Sequence, residues 1–81
     1  MKKDIHPAQL RAARALAGWS REHLAEAAGT TERTIARIEA GETAPRGTTV
    51  AAIHAALEAA GVEFTNGDAP GVRLRKRRGS P

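Results

Sequence analysis

Glycines divide most of the chain into short segments, and this division limits the possible fold more than any other feature of the sequence. Gly18, Gly29, Gly41 and Gly61 each follow a segment in which apolar residues recur every three or four positions. Such a period is typical of amphipathic helices, and glycine is frequent just beyond a helix C-terminus. The sequence therefore predicts four to five short helices joined by tight turns.

Each predicted helix has a residue that favours a helix start, either just before its first position or, for Pro7, at that position. Serine and threonine side chains accept hydrogen bonds from the first free backbone N–H groups, and proline lacks the N–H that would stay unpaired there. These residues are Pro7 for the first helix, Ser20 for the second, Thr30 or Thr31 for the third, and Thr48 or Thr49 for a fourth helix that runs to about Ala60.

Beyond the last predicted helix the apolar period changes to two. Val62 and Phe64 alternate with polar residues, and so do Val72 and Leu74, while residues 66–71 are dense in turn formers. We expect a small C-terminal β-hairpin. Because a lone hairpin is marginal in water, it should either lie on the helices or pair with a second copy of the chain.

The positive net charge comes mainly from the C-terminal end. The 81 residues include 13 Lys and Arg against nine Asp and Glu, but five of the basic residues lie between Arg73 and Arg78. A polyanionic partner therefore cannot be inferred from net charge, and the arginines have to be considered by position. Residues 76–81 are expected to form a disordered basic tail.

The composition excludes several classes of function. Cysteine is absent, which excludes thiolate metal sites and cysteine nucleophiles and suits a cytoplasmic protein. His6, His23 and His54 are not spaced as metal ligands, and no catalytic acid–base pair or nucleophile constellation is evident. Neither a signal peptide nor a membrane span is recognisable. We therefore expect no enzymatic activity, metal, cofactor, small-molecule ligand or membrane association.

The residues around Gly29 predict that two helices meet at a sharp corner. Ala25 is small enough for two helices to cross closely, Gly29 makes the turn, and Ile35 and Ile38 close the corner. The outer face of the following helix is then left exposed.

That outer face carries two arginines. At about 100° per residue, the side opposite the isoleucines is centred on Arg33 and Arg37. A guanidinium can bind guanine through two hydrogen bonds, and the major groove of DNA accepts an α-helix. Contact with a double helix is the interpretation we favour over a merely solvated surface.

The segment Ser20 to Gly41, SREHLAEAAGTTERTIARIEAG, resembles the helix-turn-helix of the phage-repressor and Cro-like (XRE) family. The resemblance covers about residues 10–60. It implies an all-α, lambda-repressor-like domain of four to five short helices over residues 1–61. The hairpin predicted from the apolar period then occupies residues 62–75, where it could form a dimer, and the basic tail occupies residues 76–81. It also implies a sequence-specific transcriptional regulator that binds double-stranded operator DNA as a homodimer without a cofactor.

The resemblance also assigns candidate DNA contacts. It implies that the third helix enters the major groove, and that its side chains face base edges or the adjacent backbone. The residues at these positions are Glu32, Arg33, Thr34 and Arg37. Glu32 could instead serve the helix dipole, because acids are common in a first helical turn.

A second group matches positions that touch the DNA backbone in the family. These residues are Arg11, Ser20, Arg21 and Arg46. Arg21 stands where the family usually has a glutamine, so a charged contact would replace a neutral one. Such contacts set orientation rather than sequence preference.

A third group is implied to be structural. Arg14 and Glu39 match a pair that joins the first and third helices in the family, and Ala25 and Gly29 shape the corner. The alternative function that remains open is a protein-interaction module, such as an antitoxin-like or anti-repressor subunit with secondary DNA binding.

Overall fold

The computed structural model describes residues 5–42, 45–65 and 71–75. Within these residues, four α-helices precede a two-stranded antiparallel hairpin, and the predicted all-helical fold with a C-terminal hairpin is confirmed. The predicted tail, residues 76–81, lies outside the described residues. The elements are α1 (Pro7–Ala17), α2 (Arg21–Ala28), α3 (Glu32–Glu39), α4 (Gly47–Ala59), β1 (Val62–Thr65) and β2 (Gly71–Leu74).

The starts of α2 and α3 are capped as expected. Ser20 Oγ accepts a hydrogen bond of 3.0 Å from the backbone N–H of His23. Thr31, rather than Thr30, caps α3, since its Oγ1 accepts from the N–H of Thr34 at 3.1 Å. Each cap of this kind stabilises a helix by about 1 kcal/mol.

The expected cap of α4 is wrong. The helix begins at Gly47, so Thr48 and Thr49 lie within its first turn, and the N-cap residue Arg46 makes no side-chain hydrogen bond to the helix start. Burial of Val50 and Ile53 in the core holds the start of this helix in place of a cap. Tertiary packing of this kind supplies most helical stability in proteins, which is why a local cap is dispensable here.

One apolar core joins all the helices to the hairpin. Burial of each large aliphatic side chain contributes about 1.5–3 kcal/mol. The largest fully buried side chains are Leu10, Leu24, Ile35, Ile38, Ile53, Leu57 and Val62.

The hairpin lies against α1 and α4. Val62 pairs with Leu74 and Phe64 pairs with Val72 across the hairpin. Val62 is buried, and Phe64 and Val72 pack against the core, whereas Leu74 is exposed. The buried side chain of Gln9 in α1 donates hydrogen bonds to two carbonyl groups of the hairpin, at Thr65 and Gly71. The hairpin is thus tied to the helices by polar as well as apolar contacts.

Candidate nucleic-acid interface

The corner between α2 and α3 is built from small residues and a left-handed glycine. Gly29 has φ 72° and ψ 33°, a conformation that side chains with a Cβ rarely adopt. The chain turns there while the N–H of Thr30 donates to the carbonyl of Ala25 at 2.9 Å. Ile35 and Ile38 are buried behind the corner, which fixes the direction of α3 relative to α2.

The opposite side of α3 is exposed. Arg33 and Arg37 lie one turn apart, and both side chains are accessible, as is Glu32 in the first turn. Among the residues that the structure describes, Arg33 forms no ion pair or hydrogen bond. Arg37 Nε lies 3.9 Å from Glu42 Oε1, a long contact between two exposed groups. Such pairs are weak in water, so both guanidinium groups can reach a ligand.

A groove of about 360 Å³ separates α3 from the start of α4. Thr34 and Arg37 line one wall, and Arg46 and Thr49 line the other. Thr34 is half-buried, and its hydroxyl hydrogen-bonds to that of Thr31 at 3.0 Å, which limits its freedom to contact a base. The two arginines and the N-terminal end of α4 give this groove a positive potential, because the first backbone N–H groups of a helix carry partial positive charge.

Three arginines from α1 and α2 converge on Glu39 at the end of α3. Arg14 Nε lies 2.6 Å from Glu39 Oε2, and Arg14 Nη2 lies 3.0 Å from Oε1. Arg21 Nε donates to Oε1 at 3.2 Å. Arg11 Nη1 donates to the backbone carbonyl of the same residue. The carboxylate side chain is only 2% exposed, so Glu39 joins three helices from a nearly buried position.

The contacts of this cluster shift the pKa values of Glu39 and Arg14. Burial raises the pKa of Glu39, but the hydrogen bonds and charges of Arg14 and Arg21 outweigh it, so the net pKa is lowered. The hydrogen bond to Glu39 raises the pKa of Arg14 despite partial burial. Glu39 and Arg14 are therefore both charged at neutral pH. The carboxylate contacts two guanidinium groups, and Arg11 binds the backbone carbonyl of the same residue.

The structure separates the predicted backbone contacts into two places. Arg11 and Arg21 lie at the Glu39 cluster, whereas Arg46 lies beside the groove near Arg37. Ser20 is exposed at the start of α2, where its hydroxyl already serves as the cap.

Two buried polar residues were not anticipated from the sequence. Gln9 anchors the hairpin, and no local pattern indicates this, because its partners lie more than 50 residues away. His54 is buried in α4 and its ring lies 4.2 Å from that of Phe64. Its helical spacing from Val50 and Leu57 is the signal that could have placed it on the inner face.

The described ranges contain neither a membrane-spanning helix nor a metal-binding cluster. Each helix in those ranges is too short or too polar to span a lipid bilayer. No cluster of three or more metal-binding side chains occurs within those same ranges.

The fixed corner and the exposed, arginine-bearing helix that follows it define a helix-turn-helix domain, a DNA-binding class of small helical proteins. A helix-turn-helix family model matches residues 10–63 of the chain. The match covers 54 of the 81 residues, and the chain belongs to this family, the XRE-type helix-turn-helix proteins. The family comprises DNA-binding transcription regulators and is typically non-enzymatic. A comparison with curated proteins found no match.

Proposed function

We propose that this protein is a sequence-specific transcriptional regulator that inserts α3 into the major groove of a double-stranded operator. The observation that carries the proposal is the division of α3 into two sides. Ile35 and Ile38 are buried, while Arg33 and Arg37 are exposed one turn apart on the other side. A helix fixed in this way can present both guanidinium groups to base edges, and only the long contact of Arg37 with Glu42 has to be given up.

Arg33 is the first candidate for reading a base. Its guanidinium has no partner in the described parts of the chain, and it can bind O6 and N7 of a guanine at once. Arg37 is the second candidate, and it would exchange its long contact with Glu42 for the DNA. Glu32 and Thr34 contribute less, since Thr34 is engaged by Thr31 and Glu32 lies in the first turn, where its charge favours the helix.

The proposed backbone contacts flank this reading helix. Arg11, Ser20 and Arg21 bind phosphates on one side, and Arg46 binds on the side of the groove. Phosphate contacts of this kind fix the orientation of the protein and make its affinity dependent on salt. The phosphate contacts on the two sides of α3 would together hold this helix in the major groove of the DNA.

The proposed active form is a homodimer on inverted half-sites, as expected for helix-turn-helix regulators that read palindromic operators. The C-terminal hairpin is the proposed dimer contact, since Leu74 remains 56% exposed at its edge. The proposed location is the bacterial cytoplasm, where the protein binds the nucleoid.

Selection of bound fragments from random duplex DNA tests this proposal. The selected sequences should contain a short palindromic motif. Arg33→Ala and Arg37→Ala should each cost about 1–3 kcal/mol of binding free energy and relax the preference at separate positions of the motif. The binding free energies can be measured by fluorescence anisotropy with the selected duplex.

Arg73→Ala is the matched control, because it removes the same charge from β2, where Arg73 pairs with Glu63. It should leave the base preference unchanged. Two alanine variants that both kept the wild-type preference would contradict the assignment of α3. A stoichiometric protein partner retained in high salt, with only non-specific DNA affinity, would favour the protein-interaction module instead.

A further inference from the structure

Arg21 is held at one end and free at the other. Its Nε–H group donates to the carboxylate of Glu39 at 3.2 Å, while its side chain is 46% exposed. A guanidinium carries five N–H donors in a rigid plane, of which this contact uses one. Within the described residues the Nη groups of Arg21 have no partner, so they remain available to a ligand.

We propose that Glu39 is a positioning residue that holds the Arg21 guanidinium for a DNA phosphate at the start of α2. This proposal rests on the proposed function. A free arginine side chain loses rotamer entropy when it is fixed in one geometry. Contact with Glu39 restricts Arg21 before DNA arrives, so less of this entropy is lost on binding.

Glu39 is itself suited to this role because Arg14 immobilises it. Two hydrogen bonds from Arg14, of 2.6 and 3.0 Å, fix the carboxylate, and the Arg14 side chain is only 19% exposed. Since Glu39 ends the proposed reading helix, it also connects the phosphate contact of α2 rigidly to α3. The position of the bases read and the position of the phosphate bound are thereby linked through one residue.

The sign of a substitution distinguishes positioning from competition. A carboxylate near a phosphate-binding arginine repels the DNA and competes for the guanidinium, so on electrostatic grounds alone Glu39→Gln should tighten binding. Positioning requires the opposite result, because Arg21 would lose its charged anchor.

A double-mutant cycle with the full chain and its selected duplex tests the proposal. We expect Arg21→Ala to weaken binding about tenfold, as for one charged hydrogen bond. The slope of log affinity against log salt should become shallower by about 0.9 for each bound copy. Glu39→Gln should also weaken binding, and its effect should be smaller by about threefold or more when Arg21 is already alanine.

Glu26→Gln is the matched control for the loss of a negative charge. Glu26 is an exposed residue of α2 that makes no ion pair in the described ranges. Its substitution should change the affinity by less than about twofold, as expected for a screened surface charge.

A second variant keeps the proposal testable if Glu39→Gln does not fold, which circular dichroism would reveal. Arg21→Lys keeps the charge. A planar guanidinium can donate to Glu39 through one nitrogen and to a phosphate through another, whereas a lysine ammonium has a single nitrogen for both. It should bind several-fold more weakly than the wild type with an unchanged salt slope.

Three results would overturn the proposal while leaving the proposed function intact. The first is tighter DNA binding by Glu39→Gln than by the wild type. The second is an equal effect of Glu39→Gln on affinity whether residue 21 is arginine or alanine. The third is wild-type affinity of Arg21→Ala or Arg21→Lys while DNA binding still depends on Arg33. Absence of specific binding by the wild-type chain would instead refute the proposed function.

Discussion

At the scale of single residues, Glu39 contacts three arginines and connects α1, α2 and α3. It is almost fully buried, yet it carries a charge, and an unpaired buried charge would cost several kcal/mol. Its charge is balanced by Arg14 and Arg21, and its carbonyl accepts from Arg11. The same residue therefore contributes to stability and, by our proposal, to DNA binding.

Acidification should destabilise the protein through Glu39. Burial raises the pKa of this group, but Arg14 and Arg21 together lower it by more than burial raises it. The folded-state pKa therefore lies below the ordinary value of 4.5. The unfolded chain thus binds the proton at higher pH than the folded chain. The stabilising contribution is complete above the unfolded-state pKa and is lost as the pH falls through the folded-state pKa.

Urea unfolding measured between about pH 6 and about pH 3 checks this expectation. The free energy of unfolding should fall more steeply on acidification for the wild type than for Glu39→Gln, which lacks the titrating group. Parallel curves for the two proteins would show that Glu39 does not contribute to the acid dependence.

Only part of the cluster around Glu39 could be predicted from the sequence. The pairing of Arg14 with Glu39 was expected from the family resemblance, whereas the contact of Arg21 with Glu39 was not. Arg21 is 18 residues from Glu39 and Arg11 is 28 residues away. Whether such residues meet depends on how α1 and α2 pack against α3, and no local pattern of the sequence encodes those angles.

At the scale of elements, local signals were sufficient where a boundary is made by local hydrogen bonds. Ser20 and Thr31 cap their helices through bonds to residues three positions away. The sequence therefore predicted the start of α2 to the residue and narrowed the cap of α3 to two adjacent threonines. The start of α4 has no such bond and follows from packing of Val50 and Ile53. The sequence therefore could not locate it to the residue.

Two glycine substitutions should have opposite effects on stability. Gly29 has φ 72° and a Cβ there would meet nothing within 4 Å, so Gly29→Ala costs only backbone strain, about 1–2 kcal/mol. Gly47 lies in the first turn of α4, and a Cβ there would also meet nothing within 4 Å. Gly47→Ala should stabilise the protein by about 0.4–1 kcal/mol, because alanine restricts the unfolded chain.

Chemical denaturation of both variants beside the wild type measures these changes. Each serves as the control of the other, since both add one methyl group to open space. A change of the same sign in both proteins would contradict the assignment of helical backbone to Gly47 or of left-handed backbone to Gly29.

At the scale of the whole molecule, the hairpin completes the core rather than extending from it. Val62 is fully buried among the helices, and Gln9 binds the carbonyls of Thr65 and Gly71. The period of two predicted the strands, but it left open whether they lie on the helices or on another copy. The contact of Gln9 with the hairpin depends on how α1 packs against the strands, so it follows from the folded structure and not from a local sequence pattern.

Charge placement at this scale predicts how DNA binding depends on salt. Outside residues 73–78 the chain has eight basic and nine acidic residues, so net attraction to DNA is weak there. If Arg11, Arg21 and Arg46 each bind a phosphate, a dimer makes six such contacts. The slope of log affinity against log salt should then be about −5, compared with about −3 for a monomer.

Removal of residues 76–81 separates this contribution from that of the C-terminal end, because it deletes three of the 13 basic residues and none of the proposed contacts. The truncated protein should keep most of the slope when affinity for the selected duplex is measured from about 50 to about 200 mM salt. A slope that fell by more than half would mean that the C-terminal end, rather than the arginines of the helices, supplies the phosphate contacts. The helical arginines would then orient the protein without carrying its affinity.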